Sequence, residues 1–232
     1  MTEKTLKTKN DGGRYSLKGS WLWGVLLFVV LVLIDQLTKV AADVYFNRPS
    51  APKMIAIIPG WINLCISYNP GIAYGIGSDA SAGVKIAVII GTALMMAAFA
   101  VLYFKLDKRR TLIRIAIVFV VAGGVGNLID RVYYQVWDPN VTQGVRDMVD
   151  LSRFGFAVCN FADFFITGGA VTLVLALLFF DTDAIFPLTE KYKALAKEAK
   201  EKEEVKEQEK AKNKEAAKAA ASAENNADND NG

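Results

Sequence analysis

The sequence predicts an all-α membrane protein, a four-transmembrane-helix bundle with a small strand-containing extracytoplasmic subdomain. Three observations predict it. The apolar residues, 53% of the chain, gather into four long runs. Lys and Arg crowd the termini and the middle connection but are sparse in the other two connections. Threading the runs alternately through a bilayer brings nearly all their polar residues to one membrane face. Ionisable groups in a bilayer are expensive and usually functional.

Residues 1–19 are polar, include Gly12 and Gly13, and read as a disordered cytoplasmic segment. The first span begins near Trp21 and ends in Asp35 and Lys39. It has no small-residue cleavage site, so it reads as a retained helix rather than a signal peptide. Residues 43–68 form the first outer segment. Pro49, Pro52 and Pro59 break helices there, and WINLCIS (61–67) is rich in strand formers. NPGIAYGI (69–76) leads to the second span, 84–104, whose single charge is Lys85. The third span, 112–129, carries Arg114 near its start and runs into Asn127, Asp130 and Arg131. The second outer segment, 132–159, has turn residues in WDPNVTQG and then Phe154, Phe156 and Val158, which suggest a stretch lying at the interface. The fourth span, 161–180, opens with Asn160 and Asp163. Each run is roughly 18–22 residues, enough to cross a hydrocarbon core of about 30 Å.

Orientation follows from the basic residues. Lys4, Lys7, Lys9, Arg14 and Lys18 precede the first span, and Lys105, Lys108, Arg109, Arg110 and Arg114 surround the middle connection. The segment 43–82 holds only Arg48 and Lys53, and 132–159 only Arg146 and Arg153. Both termini are therefore expected in the cytoplasm. The same topology explains the net charge of +3, and no nucleic-acid partner is expected. The tail, 183–232, is rich in Lys, Glu and Ala and reads as a solvated, partly formed helix. Cys65 and Cys159 fall on the outer side, and their spacing does not demand a disulfide.

The chain has no His. That excludes Ser-His-Asp and Cys-His catalysis and zinc sites of the His-Glu-x-x-His type. No Walker-type phosphate loop is present. Carboxylates remain: Asp35, Asp43, Asp79, Asp130, Asp138, Asp147, Asp150 and Asp163 lie near the outer face. Asp35 and Lys39 are i, i+4 and can neutralise each other. Asn127, Asp130 and Arg131 share a helix face, with Gly123 and Gly124 one turn deeper where helices can approach closely. Asp130 is expected mainly to anchor Arg131 and neighbouring polar groups. Asp163 has no adjacent base, so it is protonated, paired or functional. Two carboxylates at short range cannot both ionise, and such a pair can activate water. Asp147, Asp150 or Asp130 could each supply the partner, and spacing alone does not choose. A transporter, a carboxylate-metal lipid-headgroup transferase and a non-catalytic scaffold are the competing classes. Transporter sites usually lie near the bilayer midplane, whereas these groups sit at span ends.

Five blocks, taken together, resemble the bacterial lipoprotein signal peptidases, the signal peptidase II family of membrane aspartyl proteases. They are DQLTK (35–39), NPGIAYGI (69–76), GGVGNLIDR (123–131), VRDMVD (145–150) and NFAD (160–163). The resemblance spans about 20–180 and implies that Asp147 and Asp163 are catalytic. It makes Asp35, Lys39, Asn69, Asn127, Asp130, Arg131 and Asn160 substrate-binding or supporting residues. It implies diacylglyceryl-prolipoprotein substrates cut just before the lipidated cysteine, contact with membrane lipids, and inhibition by globomycin-type compounds. It implies no metal or cofactor, a monomer, and residence in the bacterial cytoplasmic (inner) membrane. Ile72 and Tyr74 depart from the family pattern, and the 132–144 insert is longer than the family's.

Overall fold

The computed structural model describes residues 21–71, 77, 80–106 and 110–180, with scattered positions between 194 and 208. Residues 72–76, Asp79, the segment 1–19 and most of the tail lie outside the described residues. The chain forms two compact units, Met1–Leu173 and Val174–Gly232. The polar site belongs to the first.

Four helices carry the apolar runs: α1 (Trp21–Phe46), α2 (Ala82–Lys105), α3 (Thr111–Tyr133) and α4 (Phe161–Leu175), the last continued by a π-helical turn, Ala176–Phe180. The four candidate spans are 26, 24, 23 and 20 residues long. Their burial within the protein differs sharply. In α3, 61% of the most apolar window is buried, against 11–17% in the others. Helix α3 is thus the central post, and the others present Leu, Val and Ile outward, as a hydrocarbon solvent permits.

The GGVG stretch explains how α3 takes that place. A methyl group on Gly123 would meet the Ala162 carbonyl oxygen of α4 at 2.3 Å. One on Gly124 would meet Met96 Sδ of α2 at 2.2 Å, and one on Gly126 would meet Asp35 Oδ2 of α1 at 2.5 Å. Three glycines within four residues therefore point at three different helices. Each removes the side chain that would hold its neighbour away.

Beside the polar helix ends lies a four-stranded antiparallel sheet, order β1-β2-β3-β4. Its strands are β1 (Ile55–Ile58), β2 (Ile62–Asn69), β3 (Val145–Asp150) and β4 (Val158–Cys159). The expected WINLCIS strand is β2, which starts at Ile62 and runs two residues further, to Asn69. Gly60, at φ 78°, makes the tight β1–β2 connection that a side chain would strain. VRDMVD was not expected as a strand. It forms β3, all six of its residues are buried, and it pairs with β2 and β4. The interface reading of 154–158 covers a 3₁₀ turn, Ser152–Phe154, and the start of β4. Phe154 and Phe156 are exposed there, and the Trp61 and Phe154 rings stack at 5.3 Å. Both cysteines are free thiols.

Candidate active site

The site begins with the cap of α4. Asn160 Oδ1 accepts the Asp163 amide at 3.1 Å, and the Asn160 amide donates to Asp163 Oδ2 at 3.0 Å. This is a reciprocal capping box, with Asn at the cap and Asp three residues on. The next free amide, Ala162 N–H, donates to Asp35 Oδ1 of α1 at 2.9 Å. Two carboxylates thus satisfy amides that a helix start leaves unpaired.

The asparagine side chains are oriented by a buried cation. Lys39 and Asp35 are both fully buried and paired at 2.9 Å. Lys39 Nζ also donates to Asn127 Oδ1 at 2.9 Å and lies 3.6 Å from Asp130 Oδ2. An ammonium only donates, so this end of Asn127 must be its oxygen. Asn127 Nδ2 then faces Asp163 Oδ1, to which it donates at 2.8 Å. Asn160 Nδ2 donates to Asn127 Oδ1 at 3.1 Å and to Asp147 Oδ1 at 2.6 Å. Asp147 and Asp163 are therefore joined through one residue, Asn160. The β3–β4 pairing makes this possible: Val149 pairs with Cys159, the residue before Asn160.

Asp147 is buried, and desolvation together with the nearby Asp163 charge pushes its carboxyl up to about 7. Hydrogen bonds from Asn160 and Asn69 and the charge of Lys39 oppose that rise. Asn69 ends β2 across from Val145, and its Oδ1 accepts the Gly71 amide at 2.9 Å.

The other carboxylates are engaged elsewhere. Asp150 accepts from the Ser152 amide at 2.9 Å and from Asn63 Nδ2 at 3.2 Å, shaping the turn after β3. Asp130 grips Arg146, and this corrects the expectation that it mainly anchors Arg131. Arg146 Nη2 reaches Asp130 Oδ1 at 2.6 Å, while its Nε and backbone N–H donate to Oδ2 at 3.3 and 2.9 Å. The reason is geometric: consecutive helical residues point about 100° apart, so Asp130 faces the sheet and not its neighbour. Arg131 instead donates to the Gly71 carbonyl at 3.1 Å and the Asn127 carbonyl at 3.3 Å, in the field of Asp163, Asp147 and Asp130.

Sequence reasoning missed Arg146, which locks β3 to α3. It also missed Gln36, whose Nε2 donates to Asp35 Oδ2 and the Gly126 carbonyl, both at 3.0 Å, and whose Oε1 accepts from Arg146. Asp43 was counted among the outer-face carboxylates but given no role. It accepts from Tyr134 Oη at 3.2 Å and from Tyr68 Oη, tying the end of α1 to β2 and the end of α3. Lys39, Arg131 and Arg146 set three positive charges among the four carboxylates of Asp35, Asp130, Asp147 and Asp163. That leaves one carboxylate more than cations in the cluster.

Fold and site define an integral-membrane protein whose carboxylate chemistry is gathered at the ends of its spans. The chain belongs to the signal peptidase II family: the profile described as Signal peptidase (SPase) II matches residues 27–179. This is a family of aspartic peptidases that cleave signal peptides from lipid-modified prolipoproteins. The chain is 33% identical to the lipoprotein signal peptidase of Ectopseudomonas mendocina, over 71% of this chain and 90% of that one. It is 30% identical to that of Pseudomonas fluorescens, over 72% and 91%. A bacterial membrane enzyme solved by the in meso method at 2.3 Å superposes with a TM-score of 0.56 and 28% identity, covering 68% of this chain and 88% of that chain.

Proposed function

We propose that Asp147 and Asp163 form the catalytic dyad of an endopeptidase that cuts diacylglyceryl-modified prolipoproteins just before the lipidated cysteine. The observation that carries this reading is the single residue Asn160 bridging β3 and the α4 cap: its side-chain Nδ2 donates to the Asp147 carboxylate and its backbone N–H to the Asp163 carboxylate. The elevated Asp147 supports a pair that keeps one proton near neutral pH. Water between the carboxylates gives a proton to the ionised member and attacks the scissile carbonyl carbon. The protonated member then donates to the departing nitrogen as the C–N bond breaks. The new amino terminus is that of the lipidated cysteine, and no acyl-enzyme forms.

Asn127, Asn160 and Asn69 aim donors at the dyad, Lys39 with Asp35 and Asp130 fixes the asparagines, and Arg131 braces the chain at Gly71. The peptidase unit is residues 20–182, flanked by cytoplasmic segments 1–19 and 183–232. The site faces the outer surface of the bacterial inner membrane, as the Lys/Arg distribution supports. Acyl chains of the substrate lie in the bilayer beside the site, and globomycin-type inhibitors compete for it. The enzyme acts as a monomer. The test is purified full-length protein with a diacylglyceryl prolipoprotein and an unlipidated control. Cleavage confined to the lipidated substrate and unaffected by chelator supports the reading. Equal cleavage of the control, or a requirement for metal, refutes it.

A further inference from the structure

Far from the dyad, at the start of α1, the three helices α1, α2 and α3 leave an apolar groove with a volume of about 170 Å³. Gly24 and Phe28 of α1, Ala100 and Tyr103 of α2, and Ile117 and Val121 of α3 line it. Phe104, on its rim, is exposed, so the groove opens toward the bilayer side of the helices.

Tyr103 connects this groove to a charge. Its ring packs on α1, where a methyl group at Gly24 would collide with Tyr103 Oη at 1.9 Å. Against the same ring lies the guanidinium of Arg114, with Cζ 4.4 Å from the centroid. Arg114 sits one helical turn before Ile117 and is 6% exposed. Its Nε is buried with no hydrogen-bond partner among the described residues. A buried guanidinium N–H left unpaired is costly. No Asp or Glu stands in the first turn of α1 or α3 to relieve it. Lys105, in the last turn of α2, and Arg110, before α3, add positive charge at the same end.

We propose that this groove binds an anionic phospholipid of the leaflet on the Lys/Arg-rich side, with an acyl chain between α1, α2 and α3 and its phosphate on Arg114. The chemistry matches at both ends. The walls are apolar throughout, as an acyl chain requires. A guanidinium fork donates in parallel to two phosphate oxygens, which supplies the acceptor that Arg114 Nε lacks. Tyr103 stacking holds the fork in place. A zwitterionic lipid would bring its own cation beside Arg114, Arg110 and Lys105, so the anionic headgroup is preferred.

The experiment reconstitutes full-length protein in bilayers of equal phosphatidylglycerol and phosphatidylcholine, extracts it in mild detergent, and counts retained lipids by native mass spectrometry. The wild type is expected to retain phosphatidylglycerol in preference to phosphatidylcholine. Arg114→Gln should lose that preference. Ala100→Phe, which fills the groove and leaves Arg114 intact, should lose the retained lipid altogether. Equal retention of the two lipids by wild type, or undiminished preference in Arg114→Gln, overturns the proposal. If Arg114→Gln does not fold, Ala100→Phe decides, and unchanged retention there also overturns it. Prolipoprotein cleavage on the same preparations is read separately, so the peptidase reading and the lipid site fail independently.

Discussion

Lys39 is the residue on which the polar cluster turns. It neutralises Asp35, approaches Asp130 and fixes which way Asn127 faces. Lys39→Met should therefore leave two buried carboxylates short of a cation, at a cost of about 3–5 kcal/mol. Thermal unfolding in detergent should show a large fall in melting temperature, with cleavage reduced through misdirected asparagines. A variant that melts like wild type would show that Lys39 is not the organising charge. Asp130→Asn should likewise lower stability, because Arg146 loses its partner, and should impair cleavage less than Asp163→Asn. Abolished turnover with unchanged melting would instead move Asp130 into the catalytic pair. Asp147 makes a prediction with a defined sign. Its folded value of about 7 exceeds the ordinary carboxyl value of 3.8, so the folded state binds more protons between them. Its contribution to stability is therefore present below about pH 4 and lost as pH rises through about 7. Asp147→Asn carries no such charge, and its melting temperature should exceed that of wild type at pH 8 and converge with it in acid. A parallel pH dependence in the two proteins would contradict the burial argument.

At the scale of elements, the glycines of α3 separate close approach from simple flexibility. Gly123→Ala drives a methyl group into the backbone of α4, and the overpacking should cost about 1–3 kcal/mol or more. Gly124→Ala meets the flexible Met96 side chain and should cost less. Gly168→Ala faces open space and should be neutral. Equal melting temperatures for the Gly123 and Gly168 variants would refute this packing account. These elements differed in how far the sequence revealed them. The spans were legible because a bilayer demands long apolar runs, and Asp35–Lys39 because four residues is one helical turn. β3 was hidden, since Arg146, Asp147 and Asp150 are poor strand formers and its burial on both faces erases the period-two pattern. The Arg146–Asp130 pair was hidden for another reason: no local period links a strand residue to a helix end, and only the β2–β3 register brings them together. The Asn160–Asp163 cap could have been read from its spacing, but its bridge to Asp147 depends on β4.

For the whole molecule, the distribution of Lys and Arg predicts that reporters fused after residues 50, 108, 140 and 190 read outside, inside, outside and inside. An inverted pattern or an odd number of crossings contradicts the topology. Truncation after about Pro187 should leave cleavage nearly intact, because the tail's sequence lacks an apolar face for packing. Lost activity in an inserted truncation would assign the tail a role in the enzyme.

Two carboxylates, held by one asparagine, are proposed to perform the hydrolysis. The most direct measurement is turnover of a diacylglyceryl prolipoprotein by purified wild type, Asp147→Asn and Asp163→Asn, with substrate binding followed in parallel. Each variant should bind substrate without cleaving it, and the wild-type rate should follow a bell in pH whose two limbs belong to the pair. Near-native cleavage by either variant would contradict it.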